Sequence, residues 1–132
     1  MALVITLKPH EKLFIGGAVI ENGTGKAEFT VLNDAPILRE REIIREQDAR
    51  TPAKRIYLAV QMMYIDDAHQ PGYVKILNQL IQEFAQAVPG AISLLESIVS
   101  LVQARQFYKA LKKARHLITY EEGLLKDGEV SD

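Results

Sequence analysis

A chain of 132 residues has room for one compact domain or two small subdomains, and a hydrophobic content of 48% is ample for a core. The net charge of −1 excludes a globally basic protein, so any nucleic-acid binding must come from a local patch. Cysteine is absent, which excludes disulfides, thiolate metal sites and cysteine nucleophiles.

The opening MALVITLKPHEKL lacks the basic and apolar regions of a signal peptide, and no apolar run approaches the roughly 20 residues needed to cross a bilayer. The expectation is a soluble cytoplasmic protein.

In chain order, residues 3–7 are rich in branched aliphatics and read as a strand, closed by a turn at Pro9 and His10. Residues 13–15 read as a second strand, with Gly16 and Gly17 allowing a bend or bulge. Residues 18–21 follow. Asn22-Gly23 then carries the hairpin signal, because both residue types tolerate positive φ, and residues 27–32 form the returning strand. Asn33, Asp34, Ala35 and Pro36 make another turn. The segment 37–44 fits either a strand or a helix, and a strand is preferred for its first half. Residues 46–52 read as a polar loop. The nearly all-apolar KRIYLAVQMMYI at 54–65 reads as a long strand covered on both faces, ended by Asp66-Asp67 and Gln70-Pro71-Gly72.

From Tyr73 the period changes to 3.6. Tyr73, Ile76, Leu77, Leu80, Ile81, Phe84 and Val88 make one amphipathic helix, broken at Pro89-Gly90. Ile92, Leu95, Ile98, Val99 and Val102 make a second. Phe107, Ala110, Leu111, Ala114, Leu117 and Ile118 make a third, which could continue the second. The polar tail after Gly123 is expected to fray.

No residue set reads as catalytic. His10, His69 and His116 lie in three separate segments without ligand spacing. Asp66 and Asp67, adjacent on a strand, would point to opposite faces. Ser93, Ser97 and Ser100 lie within a helix and lack nucleophile-elbow glycines, and the glycine pairs lack the lysine and helix start of a phosphate loop. The expectation is a non-enzyme without cofactor or metal.

The basic residues are more informative. Arg39, Arg41, Arg45, Arg50, Lys54 and Arg55, with Lys26 nearby, interleave with Glu40, Glu42, Glu46 and Asp48. The bland reading is a solvated face of weak ion pairs. The functional reading requires 37–44 to be extended, so that Arg39 and Arg41 part from Glu40 and Glu42 and offer a basic face with bidentate forks suited to phosphate. A second basic stretch, Arg105, Lys109, Lys112, Lys113, Arg115 and His116, contains no acid, and its Lys109, Lys112, Lys113 and His116 lie at helical spacing opposite the apolar stripe of the same helix. Its bland reading is an ordinary polar helix face. The aromatics weighed for base stacking are Phe14, Phe29, Tyr57 and Tyr64, most of which read as core.

The runs TLKPHEKLFIGGAVIENG, LREREII and TPAKRIYLAVQMMYID resemble the FlbT family of alphaproteobacterial flagellum biosynthesis regulators, over residues 3–68 above all. The resemblance implies a regulator that binds the 5′ untranslated region of flagellin mRNA and lowers its translation or stability, acting in some bacteria as an activator. VITLKPHEKLFIG is also similar to the opening of the carbon storage regulator family, through Thr6, Glu11, Leu13, Ile15 and Gly16, and NDAPILREREI to a later segment of it. That likeness implies RNA contacts near residues 5–8 and at Arg39 or Arg41. Leu7, however, stands where that family carries an arginine.

Together these readings predict an α+β chain with a small antiparallel β module at 1–68 and a helical hairpin or bundle of two to three helices at 72–126. The expected RNA edge is Lys8, Arg39, Arg41, Arg45, Arg50, Lys54 and Arg55. Arg105, Lys109, Lys112 and Lys113 form a secondary basic face, which becomes the stronger candidate if 37–44 is not extended. The expected partners are flagellin mRNA, flagellin or another flagellar assembly protein, and a second copy of the chain, with no membrane. The rival reading is a protein-binding adaptor that acts on mRNA indirectly.

Overall fold

The computed structural model describes residues 3–66 and 69–131, with side chains through residue 126. It divides into two compact units, 1–43 and 44–132.

The first unit holds five short strands: β1 (Leu3–Leu7), β2 (Lys12–Ile15), β3 (Ala18–Glu21), β4 (Ala27–Val31) and β5 (Ile37–Arg39). They form two antiparallel sheets, β1-β4 and β3-β2-β5. The core of the unit is Ile5, Leu7 and Leu13, with Ile15, Phe29, Val31 and Ile37 packed against it. Alternation explains the selection, since Ile5 and Leu7 share one face of β1, and Leu13 and Ile15 one face of β2.

The tight hairpin lies at Gly16-Gly17, with φ of +56° and +92°, in place of the expected bend there. Two consecutive positive φ values are what a two-residue hairpin demands. Asn22 does different work. Its Nδ2 donates to the carbonyls of Leu7, Lys8 and Gly25 at 3.3, 2.8 and 2.8 Å, and its Oδ1 accepts from Gly23 N–H at 2.8 Å. It therefore ties the β1–β2 turn to the crossing from β3 to β4, and β4 returns to β1 instead of β3. The β1–β2 turn has Pro9 followed by His10 at φ +62°, and Glu11 N–H closes it on Lys8 O at 3.1 Å.

The second unit is helical: α1 (Pro52–Ile65), α2 (Gln70–Ala87), α3 (Ile92–Gln103) and α4 (Phe107–Ser131). The strand expected at 54–65 is thus a helix, and the β content ends at Arg39 instead of residue 68, which moves the unit boundary to 43/44. The reason is in the burial. Ala53, Ile56, Tyr57, Ala59, Val60, Gln61 and Met63 are buried nearly all round α1, so no polar stripe exposes its period. The start signal was present nonetheless: Thr51 Oγ1 accepts from Lys54 N–H at 3.3 Å, and Pro52 stands where a helix tolerates proline.

Pro71 likewise opens α2 instead of ending a strand, and Asp67 lies outside the described residues. α4 packs on α1 and α3, and α2 packs on α1. The core residues are Ile56, Val60 and Met63 from α1, Leu77 and Phe84 from α2, Leu95 and Ile98 from α3, and Leu111 and Leu117 from α4. Helices α3 and α4 are separate because Arg105 adopts φ +58° and Gln106 N–H reaches back to Leu101 O at 2.9 Å. Beyond Gly123 the helical backbone of α4 continues to Ser131, where fraying was expected.

Two buried polar groups tie the helical unit together. Gln61 clamps the Ile44 peptide, accepting its N–H at 2.8 Å and donating to its carbonyl at 3.0 Å. Glu121 on α4 accepts from Ala53 N–H at 3.0 Å, within the first turn of α1.

Candidate nucleic-acid interface

The expected RNA residues divide between the units. Lys8, Arg39 and Arg41 lie in the first, and Arg45, Arg50, Lys54 and Arg55 in the second. The segment after Pro36 is extended only through Arg39. Residues 40–42 then form a 3-10 turn, with Arg39 N–H donating to Glu42 Oε1 at 2.9 Å. The strand alternation that would have parted Arg39 and Arg41 from Glu40 and Glu42 is therefore broken.

The guanidinium of Arg39 is also engaged. It pairs with Glu11 Oε2 at 3.3 Å and donates to Thr6 O at 3.2 Å, with its side chain only 28% exposed. The Glu11 carboxyl is held below its ordinary range, first by the Lys8 N–H it accepts and then by the Arg39 charge, against an opposing push from burial. Arg45 Nε sits 2.9 Å from Asp48, Arg50 Nε donates to Gln47 O at 3.1 Å, and Lys12 is 3.9 Å from Glu40. Two of the expected RNA residues, Arg39 and Arg45, are therefore balanced by a neighbouring carboxylate.

The α4 stretch differs. Its buried face is Ala110, Leu111, Ala114 and Leu117, which turns Tyr108, Lys109, Lys112, Arg115 and His116 to solvent and leaves Lys113 half-buried. Among the described residues, no carboxylate forms an ion pair with Lys109, Lys112 or Lys113. Aromatic rings interleave with the cations. Lys112 Nζ lies 5.0 Å from the Tyr108 ring, Arg105 sits 5.4 Å over Phe107, and Arg115 sits 5.4 Å over Tyr57. Tyr108 and Tyr64 have ring centroids 6.0 Å apart. Arg105 also donates to Gln70 at 2.9 Å.

Tyr108 is absent from the aromatics weighed in the sequence. Its position four residues before Lys112, on the same helix face, is the available signal. Of these rings Tyr108 is the exposed one, and a cation beside an exposed ring is the combination that single-stranded nucleic acid uses: charge for phosphate and a π-face for a base.

The histidines are dispersed. His10 is in a turn, His116 is on α4, and His69 Nδ1 contacts Asp66 at 2.9 Å. The Asp66 carboxyl is pulled below its ordinary range by His69 and then by the Tyr73 hydroxyl, which donates at 2.8 Å, and Tyr73 is raised in return. Among the described residues no group of acids and histidines could hold a metal ion, and no helix is long and apolar enough to cross a membrane.

The chain matches the family described as flagellar protein FlbT over residues 3–125. It is 42% identical over 125 residues to a "Probable flagellum biosynthesis repressor protein FlbT 1" of Bradyrhizobium diazoefficiens, covering 94% of this chain and 85% of that one. It is 37% identical over 133 residues to the "Flagellum biosynthesis repressor protein FlbT" of Caulobacter vibrioides, covering 99% and 93%. It is 39% identical over 133 residues to a similarly named protein of another Caulobacter, covering 99% and 100%. No solved structure matches.

Proposed function

The chain belongs to the flagellar protein FlbT family, and from that premise we propose that it is a non-enzymatic repressor of flagellum biosynthesis acting after transcription. It binds the 5′ untranslated region of flagellin mRNA in the cytoplasm and lowers the translation or stability of the message. The observation that carries the RNA reading is the solvent face of α4, where Lys112 stands beside the exposed Tyr108 ring and neither Lys109 nor Lys112 has a paired acid. Lysines of this kind contact phosphates, and Tyr108 offers a ring for an unstacked base. The arginines of 39–55 are secondary in this reading, because Arg39 and Arg45 are already in ion pairs.

The test is a binding titration of purified protein with a flagellin leader. Changing Lys109, Lys112 and Lys113 together to Ala should weaken binding at least tenfold, and Tyr108→Ala should weaken it several-fold. Unchanged affinity in the triple variant, or no binding at low salt by the wild type, overturns the reading.

A second reading is favoured by two adjoining apolar cavities of 430 and 660 Å³ on the helical unit, which share Arg55 and Leu80. They fit a protein-binding adaptor for flagellin or another flagellar assembly protein. Capture of flagellin that survives nuclease and depends on Leu80 would support it.

A further inference from the structure

β1 exposes Leu3 and Val4 at its first two positions, but β3 is the strand of the first unit exposed at every residue. The Arg39 guanidinium covers the Thr6 carbonyl on β1, and Glu42 accepts the Arg39 N–H on β5. β4 presents Glu28 and Thr30 to solvent. β3, by contrast, is AVIE, exposed at all four positions, with Val19 71% and Ile20 37% accessible. Among the described residues, no side chain bonds its outer edge. Natural edges are commonly guarded by Lys, Pro or inward charge, and an apolar edge without them is a template for another strand.

The hairpin register fixes which backbone groups face outward. β2 and β3 pair Ile15 with Ala18, Phe14 with Val19, Leu13 with Ile20 and Lys12 with Glu21. Asn22 N–H donates to Glu11 O at 2.9 Å, which marks Glu11–Asn22 as a hydrogen-bonded pair. Alternation along an antiparallel ladder then makes Leu13–Ile20 and Ile15–Ala18 hydrogen-bonded as well. The N–H and C=O groups of Val19 and Glu21 therefore point away from β2. In the two-fold arrangement that uses both residues, Val19 meets Glu21 of a second copy, Glu21 meets Val19 of that copy, and Ile20 sits on the axis opposite its own equivalent.

We propose that β3 is a self-association edge through which two copies of this chain join their three-stranded sheets into one six-stranded sheet. The side chains agree with that register. Ile20 shares a face with the buried Leu13, so two Ile20 side chains on the axis extend the apolar layer, and Val19 extends the opposite face beside Phe14. The two Glu21 carboxylates lie at opposite ends of the new pair, so like charges do not meet. An isologous contact of this kind closes at two copies, as a soluble dimer should. The inference rests on the β module alone and is independent of the RNA reading.

Light scattering and sedimentation of the full chain over a concentration series provide the test. The wild type should approach twice the 14.8 kDa chain mass. Ile20→Lys places two ammonium groups across the axis, and Val19→Pro removes an outward donor without touching the β2 ladder. Each should weaken the dimer at least tenfold. Mixing Ile20→Lys with Ile20→Glu should restore a dimer, which also shows that both variants are folded. Amide exchange should slow at Val19 and Glu21 on dimer formation. A wild type that stays monomeric overturns the proposal. So does a dimer indifferent to both substitutions, failure of the mixed pair to associate, or protection of β3 only by a different protein.

Discussion

Arg39 shows how a residue prominent in the sequence can be structural. Its guanidinium is shared between the Glu11 carboxylate and the Thr6 carbonyl, and its backbone N–H goes to Glu42. The partner it holds has a pH signature. Glu11 is depressed below its reference of 4.5 in the folded chain, so below that pH the unfolded state binds protons first. The stability Glu11 contributes is complete above 4.5 and is lost as pH falls through its folded value. Carboxyl NMR titration should place its midpoint below the reference value of 4.5, and Glu11→Gln should flatten the acid limb of the stability curve of the β module. Glu121 makes the same kind of argument inside the helical unit. The residue is 6% exposed, and its carboxylate satisfies an Ala53 N–H that α1 itself cannot. Urea denaturation of Glu121→Ala should show a loss of roughly 1–3 kcal/mol, the cost of an orphaned buried donor, and Glu121→Gln a smaller one.

At the scale of elements, legibility followed the visibility of a period. β1 and β2 were readable as short apolar strands, as were α2, α3 and the first half of α4, whose buried and half-buried residues together recur every three or four positions. α1 was not readable by period because its surroundings bury it nearly all round, and a fully covered helix and a fully covered strand present the same apolar run. The Thr51-Pro52 start carried the information that the period hid. Thr51→Ala should cost about 1 kcal/mol in chemical denaturation if that cap starts α1 as the geometry shows. The hairpin was misplaced for another reason. Asn22-Gly23 has the composition of a tight turn, but three carbonyls compete for the Asn22 amide, while the glycine pair at 16–17 meets no such competition. Replacing Gly17, at φ +92°, with Ala should destabilise the module by about 1–2 kcal/mol, read by the same denaturation. The candidate site followed the same logic. The basic run of α4 was visible, and so was the four-residue spacing of Tyr108 and Lys112, but the 5.0 Å approach of cation to ring is a finding of the structure.

For the molecule as a whole, the decisive quantity is how its charge is distributed. A net charge of −1 supplies no long-range pull on a polyanion, so any RNA affinity must be generated locally by unpaired cations. That makes salt dependence a count of contacts. For a single strand, log affinity falls with log salt by about 0.7 per phosphate neutralised. If Lys109, Lys112 and Lys113 each hold one phosphate, removing all three should reduce the magnitude of the slope by roughly 2. Removing Arg39 should leave the slope nearly unchanged, since Glu11 already neutralises it at 3.3 Å, and should lower stability instead. The two variants thus separate a binding surface from a folding contact in one titration. A slope that drops with Arg39 but not with the three lysines would return the RNA edge to the β module. It would also mean that the Arg39–Glu11 pair opens when RNA binds.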